Sequence, residues 1–240
     1  MRTDVVATGM IGGGHFADQR LGIAGTVGRL TEVGNFALTW RTGRVLLDVG
    51  GTARRVFHDE SVYSPGLPDV TGARGPGRTR TDAGDMRVFT TVRLTPLAFP
   101  VRVAARFGTR LPTTDNRTGL DRDATDFYAL LDGAVERGRF LAALETGMGI
   151  LGTRYAEFEQ TDVVQYAGTV AYRVGPFTPS LALLGQATTA TFQGVGTENM
   201  SEVRAALQLG HRRWVRVAYV DGHAQFSPSH GVLVSAGVQR

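Results

Sequence analysis

From Met86 to Arg110 apolar and polar positions alternate with a period of two. Met86, Val88, Thr90, Val92 and Leu94 interleave with Arg87, Phe89, Thr91 and Arg93. Val101, Val103, Ala105, Phe107 and Thr109 then interleave with Arg102, Ala104, Arg106, Gly108 and Arg110. Successive side chains of a strand point to opposite faces, so each stretch predicts a strand with one apolar face and one face studded with guanidinium groups. The same rhythm predicts strands at Leu21–Val27, Phe36–Trp40 and Val45–Ala53, with Thr31-Glu32 and Thr42-Gly43 as short connections. In the third of these, Leu46, Asp48, Gly50, Thr52 and Arg54 form the polar face. Further strands are predicted at Phe127–Val135, Phe140–Ile150, Val164–Val174, Phe177–Ala187, Val203–Leu209, Val215–Tyr219 and Val232–Val238. Arg137-Gly138 and Gly175-Pro176 make tight connections within pairs.

Alternation fails over 59–83 and again over 112–124, where Pro, Gly and Asp cluster, and both segments are predicted to be long loops. An even set of about 12 strands, joined by short turns alternating with longer loops, fits a single up-and-down antiparallel transmembrane β-barrel with both long loops on one side. The polar faces downstream carry Asp126, Tyr128, Asp132 and Glu136, then Glu145, then Gln165, Thr169 and Arg173, then Arg204, Gln208 and Arg216. The opposite faces are wide aliphatic bands with aromatic residues near strand ends, as a membrane girdle requires. A soluble antiparallel barrel would turn these faces the other way, with its large apolar residues inward.

Length and composition support one domain over residues 1–240. The 240 residues contain no Pro/Ser-rich linker that divides them, and the 32 glycines fall in clusters that suit many turns. No run of about 18 apolar residues occurs, which excludes a transmembrane helix. There is no cysteine, which is compatible with an oxidising envelope compartment. Every basic residue among the 26 is Arg, a bias that codon usage explains as readily as function. The net charge of +4 is dispersed along strands with acids nearly as numerous, so nucleic-acid binding is not expected. The opening Met1-Arg2-Thr3-Asp4-Val5-Val6 does not read as a secretory signal, since it has an acid and no long apolar stretch.

Arg110-Leu111-Pro112-Thr113-Thr114-Asp115-Asn116, continuing through Gly119-Leu120-Asp121 to Thr125-Asp126-Phe127, resembles a stretch of Gram-negative outer-membrane barrels of the phenol-degradation MetA-pathway type. Gly84-Asp85 opening the preceding strand is similar as well, and the likeness runs from about Gly84 to the C-terminus. In that family a strand ends on a basic residue, Leu and Pro, a polar loop follows, and a Thr-Asp-Phe-like step starts the next strand. The resemblance implies an outer-membrane location and a role in passage of small, often hydrophobic or aromatic compounds. The chain departs from the pattern at its end, Val238-Gln239-Arg240, where such barrels often finish on an aromatic residue.

Candidate chemistry follows from the polar faces. Arg87, Arg93, Arg102, Arg106 and Arg110 are expected to share a lumen wall, with Asp126, Asp132, Glu136 and Glu145 on the next two strands. Two readings stay open: a constriction with charges of opposite sign on separate walls, or an interior filled by salt bridges. Asp115, Asn116, Asp121, Asp123 and Asp126 could offer oxygen ligands, yet they lack the order of a calcium loop, so no metal or other cofactor is expected. Among the five histidines only His230 has an adjacent serine, Ser229, and no nucleophile elbow, zinc-protease motif or phosphate loop occurs. The expected partners are outer-membrane lipid and small-molecule solutes. The expected function is passive passage. The alternatives are a structural barrel without conductance, a barrel-type lipid hydrolase and a soluble ligand-binding barrel.

Overall fold

The computed structural model describes residues 5–63, 77–113, 118–152, 161–188 and 199–240. Strands occupy β1 Val5–Leu21, β2 Thr26–Thr42, β3 Val45–Val62, β4 Thr79–Asp82, β5 Met86–Arg93, β6 Val101–Leu111 and β7 Asp126–Arg137. They continue as β8 Phe140–Leu151, β9 Thr161–Tyr172, β10 Phe177–Thr188, β11 Met200–Leu209, β12 Arg213–Gly222 and β13 His230–Gln239. Every pairing is antiparallel, and all join neighbours in sequence except β3 with β5 and β1 with β13. The β1–β13 pairing, from Thr8 opposite Gln239 to Ala17 opposite His230, closes the sheet on itself. The result is a closed barrel of twelve strands with β4 added along β3.

The predicted number of strands is met, but the N-terminal third is laid out differently. The stretch Leu21–Val27 straddles the turn at residues 22–25 instead of forming a strand, and Thr31-Glu32 lies inside β2 instead of connecting strands. The strand missed there is β1. Its Gly12-Gly13-Gly14 run leaves three successive positions of the alternation blank, so period two is hard to see. The 59–83 segment is also shorter as a loop than expected, because residues 59–62 extend β3 and 79–82 form β4. Its Ser64 to Pro76 portion, including Arg74, lies outside the described residues, as do Thr114 to Arg117 of the second loop.

Gly43, Gly138, Gly175 and Gly210 take positive φ in the short connections at one end of the barrel. This turn end also holds both described chain ends, where Ala7 and Arg240 exchange backbone hydrogen bonds. At the opposite, loop end, the described residues 77–85 meet 118–125, where Arg80 and Asp82 bond Thr118. Trp40, Phe99, Phe140, Tyr172 and Phe177 are exposed near the turn end, and exposed arginines 41, 44, 137, 139, 173, 212 and 213 stand on or beside its turns. Among the described residues no helix is long and apolar enough to cross a membrane.

The faces are oriented as the alternation implied for a membrane barrel. Leu144 is 71% exposed and Ile11 63%, and Phe107, Phe127, Leu131, Leu181 and Tyr219 also stand outward half-exposed or more. The charged positions of the same strands point into the lumen. Aromatic residues lie flat across directly opposed glycines: Phe16 on Gly231, Phe89 on Gly108, Tyr128 on Gly149 and Trp214 on Gly237. Much of the glycine content is therefore in strands, where a bare backbone gives a ring somewhere to lie, and not only in turns.

Candidate functional site

The lumen holds two cavities of about 690 and 560 Å³, the first toward the turn end and the second toward the loop end. Phe16, Glu32, Thr52, Arg87, Phe89, Arg106 and Arg204 line both, so they mark the waist between the chambers. Arg87 on β5 and Arg204 on β11 are six strands apart in the ring of twelve and therefore stand on opposite walls.

Opposite charges meet between strands one or two places apart in the wall. Arg102 reaches Asp132 at 2.8 Å and Arg106 reaches Glu145 at 2.6 Å. Asp132 and Glu145 are themselves directly opposed in the β7–β8 register, a like-charge arrangement that is unfavourable unless cations offset it. The two arginines of β6 supply that offset. Arg106 is also fixed over the Phe89 ring, its guanidinium carbon 4.3 Å from the centroid. Arg110 pairs with Asp126 at 2.7 Å and with Asp85 at 3.3 Å.

Three predicted residues stand apart from this lattice. Arg93 is turned to the β5–β6 connection, donating to the Phe99 carbonyl at 2.9 Å, and Glu136 pairs with Arg173 on the exposed turn-end rim. Arg87 lies directly across from Arg110 and has no ion pair or hydrogen bond among the described residues. Arg216, also in the lumen, donates to the Ser180 hydroxyl at 3.3 Å. Among the described residues neither arginine is in an ion pair.

Sequence alternation missed a further cluster at the loop end. Gly34, at φ 71°, sits against Ala53 and breaks the alternation of β2 and β3 together. Asn35 can therefore donate to Glu32 at 3.0 Å, although regular pleating would send residues three apart to opposite faces. On β3 the break exposes Arg54, predicted for the polar face, and turns Arg55 into the lumen. Arg55 meets Asp121 at 2.6 Å and Glu32 at 3.4 Å.

Asp121 belongs to the 118–125 segment, which folds into the mouth of the barrel. Leu120 is buried in a cluster with Phe16, Leu21, Leu30, Phe57 and Val220, and Arg122 is buried against Asp126 at 2.7 Å. The segment is tied down at its start as well, since the Arg80 guanidinium donates to the Thr118 carbonyl and the Thr118 hydroxyl to Asp82. Arg80 is itself held by the fully buried Asp59 at 2.9 Å, and Asp59 accepts from the Thr26 hydroxyl at 2.8 Å. The short β4 thus exists to carry Arg80 and Asp82 to this segment. Burial, reinforced by the nearby Asp121 charge and opposed by Arg110 and Arg55, pushes the Asp85 carboxyl up to about 6.

The oxygen-rich loop makes no cation site among the described residues. Asp121 and Asp126 are committed to arginines, and Asp115 and Asn116 lie outside the described residues. Ser229 donates to Asp18 at 2.6 Å and stands 3.0 Å from His230 Nδ1. A catalytic triad needs the imidazole between carboxylate and hydroxyl, whereas here the Ser229 hydroxyl donates its hydrogen bond to the carboxylate directly.

No family model matches the sequence, and no characterised protein matches it at the sequence level. Solved structures do match in shape. Over 100% of this chain and 97% of the other, the fold is similar to an outer-membrane channel from Pseudomonas putida F1, with 10% identity and a TM-score of 0.63. The chain shares the barrel fold of that channel. A monoaromatic hydrocarbon channel, CymD, aligns over 100% of this chain and 89% of its own, with 11% identity and a TM-score of 0.48.

Proposed function

We propose that this chain is a Gram-negative outer-membrane channel that passes small molecules passively, hydrophobic or aromatic ones among them, with lumen arginines favouring anions. The observation that carries the reading is the inversion of its faces. A belt of half-exposed Leu, Ile, Val and Phe encircles the outside while arginines and carboxylates fill the inside. Water around such a belt would expose far more contiguous apolar surface than soluble proteins tolerate, and a bilayer removes that cost. The bias toward anions is supported by Arg87 and Arg216, which line the turn-end chamber from well-separated strands and are in no ion pair among the described residues.

Two measurements test this in order. The purified chain should need detergent and should migrate differently on gels before and after heating; a monodisperse protein in plain buffer would make it a soluble ligand-binding barrel. Reconstituted into planar bilayers under a salt gradient, it should conduct with a reversal potential on the anion side. A folded, detergent-requiring protein with no conductance would make it a structural barrel.

A further inference from the structure

The Leu120-Asp121 step has the chemistry of a bound ligand. Its apolar half fills a socket inside the barrel mouth formed by Phe16, Leu30, Phe57 and Val220, side chains from four different strands. Its charged half sits between two guanidinium groups, with one carboxylate oxygen 2.6 Å from Arg55 and the other 3.7 Å from Arg110. Both halves also line the loop-end chamber, so the socket and the clamp open onto one cavity of about 560 Å³.

Local conformation marks the step as an insert. Gly119 at φ 73° and Asp123 at φ 50° bracket the three residues that dip inward. A left-handed aspartate is unfavourable on its own and persists only where the surroundings hold it. The segment is thus held by its contacts and not by a regular element.

We propose that the Phe16–Leu30–Phe57–Val220 socket and the Arg55–Arg110 clamp form a binding site for small amphiphilic monocarboxylates, occupied in the resting barrel by the chain's own Leu120 and Asp121. This deepens the channel reading above by naming a substrate class, and it rests on that reading for its route to the site. Charge fixes the class. Counting Arg87, directly across from Arg110, the surroundings of the clamp without Asp121 hold four arginines, Arg55, Arg87, Arg110 and Arg122, against three carboxylates, Glu32, Asp85 and Asp126. One negative charge restores the balance, and Arg reads a carboxylate better than any neutral head group. An apolar body then replaces Leu120, which releases the segment from the mouth. Ligand binding and opening are therefore the same event.

The test vacates the site and offers it a ligand in parts. The full chain and its L120A/D121N variant, both folded in a neutral maltoside detergent, are titrated by calorimetry with octanoate, 1-octanol and acetate. Octanoate is expected to bind the variant at least about tenfold more tightly than the unaltered chain, with 1-octanol and acetate showing no such gain. Equal octanoate affinity for the two proteins, 1-octanol matching octanoate, or no binding to the variant would each overturn the site. If L120A/D121N lacks the heat-modifiable folded form, D121N alone is judged by the same criterion. Conductance of the same preparations separates the two claims. A conducting variant indifferent to octanoate overturns the site and leaves the channel, while a non-conducting protein that binds octanoate keeps the site and overturns the channel.

Discussion

Replacing Asp126 with alanine should cost about 3 kcal/mol of barrel stability. Its carboxylate is fully buried and gathers the Arg110 and Arg122 guanidinium groups, both at 2.7 Å, the Tyr128 hydroxyl at 3.0 Å and the Gly152 amide at 2.9 Å. Removing one partner of a buried ion pair typically costs about 3–5 kcal/mol, because the other charge stays behind. An orphaned amide adds up to about 1–3 kcal/mol, though the two losses share one site and do not add in full. The arginine side chains are 19% and 10% exposed to the lumen, so water can partly rehydrate them and the lower end applies. Asp126→Asn keeps an acceptor for Gly152 while losing the charge, and should cost about 2 kcal/mol. The assay is reversible urea unfolding from zwitterionic vesicles, followed by the fluorescence of Trp40 and Trp214. If both variants unfold within about 0.5 kcal/mol of the parent, the carboxylate is not the node described here.

Three further outcomes follow from the lumen. Gly108→Ala would drive a methyl into the Phe89 ring, which must swing inward and take the stacked Arg106 with it; unitary conductance should fall, and adding Phe89→Ala should restore it. Arg87→Gln removes a lumen cation that is in no ion pair among the described residues and should reduce anion preference, whereas Arg102→Ala with Arg106→Ala should move the reversal potential further toward cations, because Asp132 and Glu145 are then unmasked. Asp85 ionises at about 6, above its ordinary value near 3.9, so the folded barrel holds the extra proton between those pH values. Its contribution to stability is consequently greatest below about pH 4 and is lost as pH rises toward 6, while anion preference should strengthen as pH falls through 6. Titrating reversal potential in Asp85→Asn, which should flatten that step, checks the assignment.

Strand rhythm made most of the wall legible, because period two survives wherever the outward face needs large apolar groups. It failed at β1, where Gly12 to Gly14 supply no side chains to alternate, and at Gly34, where one left-handed residue shifts Arg55 inward in place of Arg54. Some contacts were within reach of counting. The tight turn at Gly138 sets Arg137 opposite Phe140, and the same register brings Asp132 to Glu145. The pairing of Arg106 with Glu145, two strands away, needed the curvature of the closed sheet. The burial of Leu120 had no signal in alternation at all, since its segment is irregular and its socket is assembled from β1, β2, β3 and β12.

The rings laid on bare backbone give the bore of this barrel an adjustable lining that does not depend on strand number. Phe16, Phe89, Tyr128 and Trp214 each occupy a recess made by the glycine opposite, so their thickness is absorbed by the wall. Trimming a ring should widen the passage locally, and filling a recess should narrow it, both without altering register or circumference. Related barrels of equal girth could thus diverge in what they admit through paired exchanges at these four positions, one aromatic and one glycine at a time.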